Sequence, residues 1–317
     1  MINEVNSIND KENTMKTLSI LLGPMRVPFL LLPPVCVLLG AASAYYIEGT
    51  FHLMWFLIAL AAGLCAHISV NAINEYEDFK SQLDLHTIRT PFSGGSGTLP
   101  QNPEKAHWAA AIGAITLVLT IVFGIYFLWI WGPGLLLVGI PGVLAVFLYT
   151  RWLTHNPWLC LLAPGIGFGT CMVMGVDFAL TGSYGITAFA ASLPPFFLVS
   201  NLLLLNQFPD IEPDTKVGRR HLMIVYGRFT GALVYAAFLA GAYLSVVVAW
   251  LAGWFPASAL AALLTVPLAI KTAIEVIQHH NADPQRLVPS MGKNVVITLV
   301  TPALLAIGLF AGRVLVD

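Results

Sequence analysis

Long apolar segments alternate with short polar ones along almost the whole chain. An α-helix needs about 20 mostly apolar residues to cross the hydrocarbon core of a bilayer. The pattern therefore predicts an all-α membrane protein with nine transmembrane helices, several of them kinked by internal prolines. The predicted spans are residues 27–47, 51–73, 106–130, 133–152, 157–180, 185–207, 229–251, 256–277 and 294–315.

The basic residues predict the orientation of this bundle. The connections between spans 1 and 2, 3 and 4, 5 and 6, and 7 and 8 are short and contain no lysine or arginine. All of the 15 basic residues except Arg313 lie toward the other end of the spans. Because lysine and arginine accumulate in cytoplasmic loops, we predict that the N-terminus and the even-numbered loops face the cytoplasm.

The composition agrees with a lipid environment. Of the 317 residues, 57% are hydrophobic, which is more apolar surface than a soluble domain of this length would bury. A net charge of −1 argues against a nucleic-acid partner. The polar residues 1–17 predict a disordered tail, followed by a single membrane domain over residues 18–317.

Two acidic segments follow even-numbered spans, and so both are predicted at the cytoplasmic surface. Asn74 precedes Asp78 by four residues, and Asn71 lies on the same face of a continuing helix. After span 6, Asn206 precedes Asp210 by four residues, and a second carboxylate follows four residues later. That second carboxylate belongs to Asp214.

Pro209 interrupts the second segment. Because proline disrupts a helix interior, we expect span 6 to end near Gln207 and a short turn or new helix to begin after it.

Carboxylate and amide oxygens in such pairs suit Mg²⁺, which proteins commonly hold together with substrate phosphates. Cations close to the acids suit phosphate oxygens. Either segment alone is equally consistent with solvated loop charges, but the matched pair favours a site that holds metal ions around a diphosphate. The nearby cations are Lys80, Arg89, Lys216, Arg219 and Arg220.

The two segments resemble the aspartate-rich motifs of the UbiA superfamily of intramembrane prenyltransferases, a nine-helical family with motifs after helices 2 and 6. In "NAINEYEDFKSQLD", Glu75 replaces the usual Asp, and Gln82 stands at the place of a last Asp in the commoner form. In "DIEPDTKVGRRHL", His221 replaces the usual Thr. The positions that match the motifs are Asn71, Asn74, Asp78, Asp84, Asp210, Asp214, Gly218 and Arg219. "RVPF" at Arg26 and "YT" at Tyr149 resemble further family positions.

The resemblance implies a helix bundle around a central cavity with a cytoplasmic cap. It implies Mg²⁺-dependent transfer of a prenyl group from a prenyl diphosphate to a small aromatic acceptor, within membrane lipid. The Asn-x-x-Asn form of the first motif favours the menaquinone branch and 1,4-dihydroxy-2-naphthoate as acceptor. The membrane would be a bacterial or archaeal inner or cell membrane, with the active site facing the cytoplasm.

The same resemblance assigns roles to residues. Whether Asp84 or Gln82 completes the first metal site is left open at this point. The metal ligands would be Asn74, Asp78, Asp84, Asn206, Asp210 and Asp214. The catalytic residues would be Asp78, Asp210, Lys80 and Arg89. The substrate-binding residues would be Asn71, Asn74, Lys216, Arg219, Arg26 and Tyr149. Aromatic faces that could steady an allylic cation are Tyr76, Phe92 and Tyr149.

Residues 91–97, "PFSGGSG", are interpreted as a hinge in a cap that closes over the diphosphate and excludes water, with a plain linker as the alternative. Two other functions remain open. A transporter would coordinate a moving cation, usually near the middle of the membrane. A membrane terpene cyclase or prenyl diphosphatase would use the same ion chemistry without an acceptor ring.

Overall fold

The structure is a computed structural model, and it describes residues 20–87 and 89–315. The tail predicted over residues 1–17 lies outside the described residues. Within the described part, every regular element is a helix, which confirms the all-α fold class.

Nine apolar helices can be followed along the described chain. Eight of them are long and apolar enough to cross a membrane, whereas α4 is shorter than the roughly 20 residues that a span needs. The length criterion therefore establishes eight candidate spans among the described residues, and the predicted count of nine is not established. The helices are α1 Val27–Glu48, α2 Leu53–Lys80, α3 Pro103–Trp131, α4 Pro133–Leu148, α5 Pro157–Thr181, α6 Ile186–Asn206, α7 Arg228–Leu251, α8 Ala257–His279 and α9 Pro284–Val314.

Helix α2 extends well beyond its predicted span. The apolar run ends at residue 73, but the helix continues to Lys80. An apolar run measures the lipid-facing length, whereas the backbone hydrogen bonds of a helix continue into polar sequence. The first acidic segment is therefore carried on the last two turns of a rigid helix.

Helix α6 lies at the centre of the bundle and α3 at its edge. In the most apolar window of each helix, 72% of α6 is buried, compared with 11% of α3. Glycines let α5 approach α6 closely, because a Cβ on Gly169 would lie 2.4 Å from the backbone nitrogen of Phe196. The same pair of helices is also joined by a hydrogen bond, in which Gln207, directly after α6, donates to Cys160 Sγ on α5 at 3.1 Å.

Short polar elements gather at one end of the bundle. They include a tight turn at Leu83–Leu85 and three short helices. Contacts between loops hold them together: the backbone nitrogen of Arg220 donates to the carbonyl oxygen of Thr154 at 3.0 Å, and the ring of Phe92 packs against Gly292 of α9. The two acidic segments thus meet at the same end of the molecule. The short helices are Thr98–Gln101, Ile211–Lys216 and Leu222–Tyr226.

Candidate active site

The last turns of α2 present one polar face to a cavity at this end of the bundle. Asn71, Asn74 and Asp78 all line the cavity, as their three- and four-residue spacing predicts. His67 lies one turn earlier on the same face and also lines it. The same periodicity would have identified His67 from the sequence.

Asp84, and not Gln82, reaches the cavity from the first segment. Gln82 takes a left-handed φ of 64° and is exposed, and the chain reverses there. Asp84 follows on the tight turn, is 6% exposed and lines the cavity. Its Oδ2 is buried without a hydrogen-bond partner.

The second acidic segment lines the same cavity. Helix α6 ends at Asn206, close to the predicted end at Gln207, and Asp210 is the N-cap residue of the short helix that carries Asp214. All three polar side chains line the cavity. The Oδ1 atoms of Asn206 and Asp210 are buried without a partner.

Arg219 joins the two segments directly. Its Nη1 donates to Asp214 Oδ1 at 3.0 Å, and its Nη2 donates to Asp78 Oδ1. Two carboxylates that are 136 residues apart along the chain therefore lie within reach of one guanidinium group. This contact is the strongest geometric support for the predicted convergence of the two motifs.

Arg26 enters the cavity from the start of α1. Its backbone has a left-handed φ of 51°, which is uncommon for a residue other than glycine. Its Nε donates to Glu75 Oε1 at 2.8 Å, and its Nη2 donates to Asn74 Oδ1 at 3.0 Å. The Nδ2 of Asn71 donates to the carbonyl oxygen of Met25 at 3.1 Å and supports this conformation.

Burial and the negative charges of neighbouring carboxylates disfavour ionisation of the acids in the cavity. Burial, together with the charges of Asp78 and Glu75, raises the pKa of Asp84 to about 7. Burial and the charge of Asp214 raise the pKa of Asp210 to about 7, and burial raises the pKa of Asp214 to about 6. A bound cation would favour the charged form of each group.

The donor set fits Mg²⁺. No group of three His, Cys, Asp or Glu side chains within the described residues already converges as a metal cage. In this arrangement Arg219 occupies the space between two of the acids. Three buried oxygen atoms of the cavity, however, have no hydrogen-bond partner. They are hard ligands of the kind that Mg²⁺ prefers, and Mg²⁺ commonly completes its shell with water and substrate phosphate. The three oxygens are Asp84 Oδ2, Asn206 Oδ1 and Asp210 Oδ1.

Three predicted phosphate-binding cations lie outside the cavity lining. Lys80 is exposed, and its Nζ lies 5.9 Å from the centroid of the Tyr76 ring. The guanidinium of Arg89 packs against the backbone at Gly97, and Lys216 is exposed on its short helix. This arrangement brings Arg26 and Arg219 to the cavity but does not bring Lys80, Arg89 or Lys216 there.

A polar recess beside the acids was not predicted from the sequence. Tyr149, which was predicted, lines it with Cys160 and Gln207, and His221 contributes a buried ring whose two nitrogens have no hydrogen-bond partner. In the sequence, Cys160 is one of several cysteines within apolar segments and gives no sign of a functional role. Only the packing of α5 against α6 shows that it lines this recess.

The polar cavity, of about 180 Å³, adjoins an apolar chamber of about 560 Å³ between α2, α3, α4 and α5. The chamber volume lies within the range of roughly 300–1,000 Å³ that is usual for ligand pockets. The two spaces are adjacent, because seven residues line both: Arg26, His67, Asn71, Asn74, Tyr149, Phe168 and Leu203.

Comparisons with known proteins point to one family. A family model described as the UbiA prenyltransferase family matches residues 31–291. A 1,4-dihydroxy-2-naphthoate octaprenyltransferase of Bacillus subtilis (strain 168) is 28% identical over 279 residues, which are 87% of this chain and 87% of that protein. A UbiA prenyltransferase domain-containing protein 1 of Xenopus tropicalis is 26% identical over 256 residues, which are 79% of this chain and 72% of that protein.

Solved structures share the fold. A UbiA homologue from Aeropyrum pernix K1 has a TM-score of 0.68 and 17% identity, over 90% of this chain and 98% of that one. A UbiA homologue from Archaeoglobus fulgidus, bound to DMAPP and Mg²⁺, has a TM-score of 0.62 and 14% identity, over 92% of this chain and 99% of that one.

Proposed function

The chain belongs to the UbiA prenyltransferase family, and we propose that it transfers a prenyl group from a prenyl diphosphate to 1,4-dihydroxy-2-naphthoate or a related aromatic quinone precursor, with Mg²⁺. One observation carries the proposal. A cavity lined by four carboxylates and two arginines lies directly beside an apolar chamber and shares seven lining residues with it. A prenyl diphosphate likewise consists of a charged diphosphate joined to a long apolar chain, so its two parts match the charged cavity and the apolar chamber.

The polar cavity would hold the diphosphate. Mg²⁺, when bound, neutralises charge on the departing pyrophosphate. Its proposed ligands are the oxygens of Asp78, Asp84, Asp210 and Asp214, helped by Asn74 and Asn206. Arg219 would move from Asp78 and Asp214 to phosphate oxygens, since its fork suits either partner. It stays charged for this role because the two neighbouring carboxylates raise its pKa, although burial alone would lower it.

The chemistry would occur where the two spaces meet. The C–O bond of the allylic diphosphate breaks, and pyrophosphate leaves with the electron pair. The acceptor ring forms a bond to the allylic carbon and then loses a proton, which restores its aromaticity. The rings of Tyr149, Phe168 and Phe92 line the cavity and present faces that would steady positive charge on the prenyl group.

Two features support the naphthoate class of acceptor. The first is the similarity to the Bacillus subtilis protein along 87% of both chains. The second is the guanidinium of Arg26, which lines the junction of the two spaces and matches the carboxylate of an aromatic acid. The basic residues at the end that carries the acids support an active site that faces the cytoplasm. The similarity to the Bacillus subtilis protein supports a bacterial membrane.

The test uses purified protein in vesicles with Mg²⁺, a labelled prenyl diphosphate and a panel of aromatic acids. A prenylated ring together with pyrophosphate release supports the proposal, and the product mass identifies the acceptor. Pyrophosphate release without a prenylated ring would favour a terpene cyclase or diphosphatase. No release from a folded protein with any acceptor would contradict enzymatic prenyl transfer and favour transport.

A further inference from the structure

Glu75 stands where the first motif usually has Asp. In the structure its carboxylate forms hydrogen bonds with other residues and does not face the cavity. Its side chain is 0% exposed and does not line the cavity. Oε1 accepts from Arg26 Nε at 2.8 Å and from the backbone nitrogen of Ser96 at 2.6 Å. Oε2 accepts from Ser96 Oγ at 2.9 Å. Three hydrogen bonds therefore engage both oxygens.

The segment that Glu75 holds passes directly over the acids. Gly94 and Gly95 have left-handed φ values of 86° and 72°, and they line the cavity with Ser93. A Cβ on Gly95 would lie 3.0 Å from Asp84 Oδ1 and 3.3 Å from Glu75 Oε1. The backbone at Gly95 thus lies against two carboxylates, with little room for a side chain at that position.

The two ends of this segment are fixed differently. Before it, the ring of Phe92 packs against Gly292 of α9. After the two glycines, Ser96 is held by the carboxylate of Glu75. Because glycines permit many backbone conformations, the position of the segment depends on contacts of the residues around them. Besides Phe92 and Ser96, the backbone nitrogen of Ser93 donates to Thr90 Oγ1 at 2.9 Å, and the guanidinium of Arg89 packs at Gly97.

The same carboxylate orients Arg26. The left-handed backbone of Arg26 carries a conformational cost, which persists only where surrounding contacts fix it. Glu75 and Asn74 supply contacts to the guanidinium at 2.8 and 3.0 Å. One buried carboxylate thereby joins the start of α1, the last turns of α2 and the segment over the cavity.

We propose that Glu75 is a positioning residue and not a metal ligand: its carboxylate latches residues 93–97 over the diphosphate cavity and fixes the orientation of Arg26. This inference rests on the proposed function in one respect: the reaction that the closed segment would protect is the proposed prenyl transfer. The closed segment keeps water from the allylic carbon after pyrophosphate leaves. Asp78, Asp84, Asp210 and Asp214 remain the oxygens for Mg²⁺.

Glu75→Asp distinguishes a positioning residue from a metal ligand, because it keeps the negative charge and shortens the side chain by one methylene. A latch that is too short cannot hold both Ser96 and Arg26. We expect faster amide hydrogen exchange in residues 93–97 and a fall in kcat of about 100-fold, which is the typical effect of a displacement of about 1 Å in a positioned group. The Mg²⁺ concentration for half-maximal pyrophosphate binding should stay near that of the wild type. A metal ligand would behave differently: Asp is the usual residue of the motif, so turnover would be retained.

Ser96→Ala is the second variant, and it leaves every carboxylate in place. It removes the Oγ donor to Glu75 and should raise exchange in the same segment by a smaller amount. Glu77→Asp is the matched control, because Glu77 lies on the same helix but pairs with Arg151 away from the cavity. It should change neither hydrogen exchange in residues 93–97 nor kcat.

The measurements distinguish failure of the latch from failure of the proposed function. Wild-type exchange in residues 93–97 of folded Glu75→Asp protein would overturn the latch, whatever its activity. Wild-type turnover in that variant would overturn the positioning role. If the wild-type protein itself transfers no prenyl group, the exchange comparison still tests the latch, and the proposed function fails separately.

Discussion

At the scale of single residues, the site is defined by oxygens that the protein leaves unsatisfied. Buried polar atoms normally have hydrogen-bond partners, and leaving one without a partner costs about 1–3 kcal/mol. Asp84 Oδ2, Asn206 Oδ1 and Asp210 Oδ1 line the cavity without such partners. A bound cation and its waters would satisfy all three, which is why these atoms are the best markers of the proposed metal site.

Asp78→Ala and Asp210→Ala should each lower turnover by at least about 10²–10³-fold, because each removes a proposed oxygen ligand of the Mg²⁺ that would stabilise charge on the leaving pyrophosphate. Both variants should remain folded and inserted in the membrane. The assay is prenyl transfer at saturating Mg²⁺, with size-exclusion behaviour as the folding control. Normal activity in either variant would refute the metal assignment.

Arg219→Ala should lower the apparent Tm when Mg²⁺ is chelated. The substitution leaves Asp78 and Asp214 buried without their shared cation, and breaking a buried ion pair costs about 3–5 kcal/mol. Added Mg²⁺ should recover part of the loss by replacing the missing charge. Thermal unfolding in detergent measures both effects.

Arg151→Ala is the control for this comparison. Arg151 pairs with Glu77 but its side chain is 50% exposed, and exposed pairs contribute little to stability. Equal Tm values for Arg219→Ala and wild type under chelation would contradict the proposed role of Arg219 as an internal counter-ion.

At the scale of helices, glycines give the apolar chamber its size. Gly124 on α3, Gly139 on α4 and Gly167 on α5 line the chamber, and a Cβ on any of them would meet no atom within 4 Å. The side of each helix that faces the chamber is therefore open, whereas Gly169 lies tight against α6. On α5, Gly167 therefore leaves space for the chamber, whereas Gly169 allows close packing against α6.

Gly139→Phe should discriminate between prenyl donors by length. The ring would fill part of the chamber without a backbone clash, so kcat/KM for a long donor should fall by about tenfold or more relative to a short donor. Competition between two donors measures this ratio. Leu137→Phe is the control on the same helix, because Leu137 is 72% exposed and does not line the chamber. An unchanged ratio for Gly139→Phe would argue against prenyl binding in the chamber.

At the scale of the whole molecule, the acids lie together at one end of the bundle. A cation transporter would place such groups near the middle of the membrane on broken helices. Here they lie at or just beyond the C-terminal ends of α2 and α6 and adjoin a chamber lined mainly by apolar side chains. This arrangement favours a reaction at the membrane surface on a substrate with a lipid tail.

The predicted orientation can be tested with two exposed positions. Thr50 lies in the connection between α1 and α2, and Thr215 lies at the end that carries the acids. In intact cells, a membrane-impermeant maleimide should label Thr50→Cys and should label Thr215→Cys only after permeabilisation. The wild-type protein gives the background from the four native cysteines. The reverse labelling pattern would invert the topology and place the acids outside.

The hydrophobic pattern by itself determined the fold class and the approximate helix positions. Lipid imposes a length and a polarity on each span, and both can be read from local sequence. The spacing of Asn71, Asn74 and Asp78 likewise determined a shared face, because helical geometry is local. The length of α4 and the extension of α2 could not be read in this way, since an apolar run does not mark where backbone hydrogen bonding ends.

Only the tertiary structure decided which charged residues enter the cavity. Lys80, Arg89 and Arg219 are all close to the acids in sequence, yet only Arg219 bridges Asp78 and Asp214. The difference arises because loop closure and helix packing, and not distance along the chain, fix where a long side chain points. For the same reason Glu75, inside the motif, holds the segment above the cavity and does not line it.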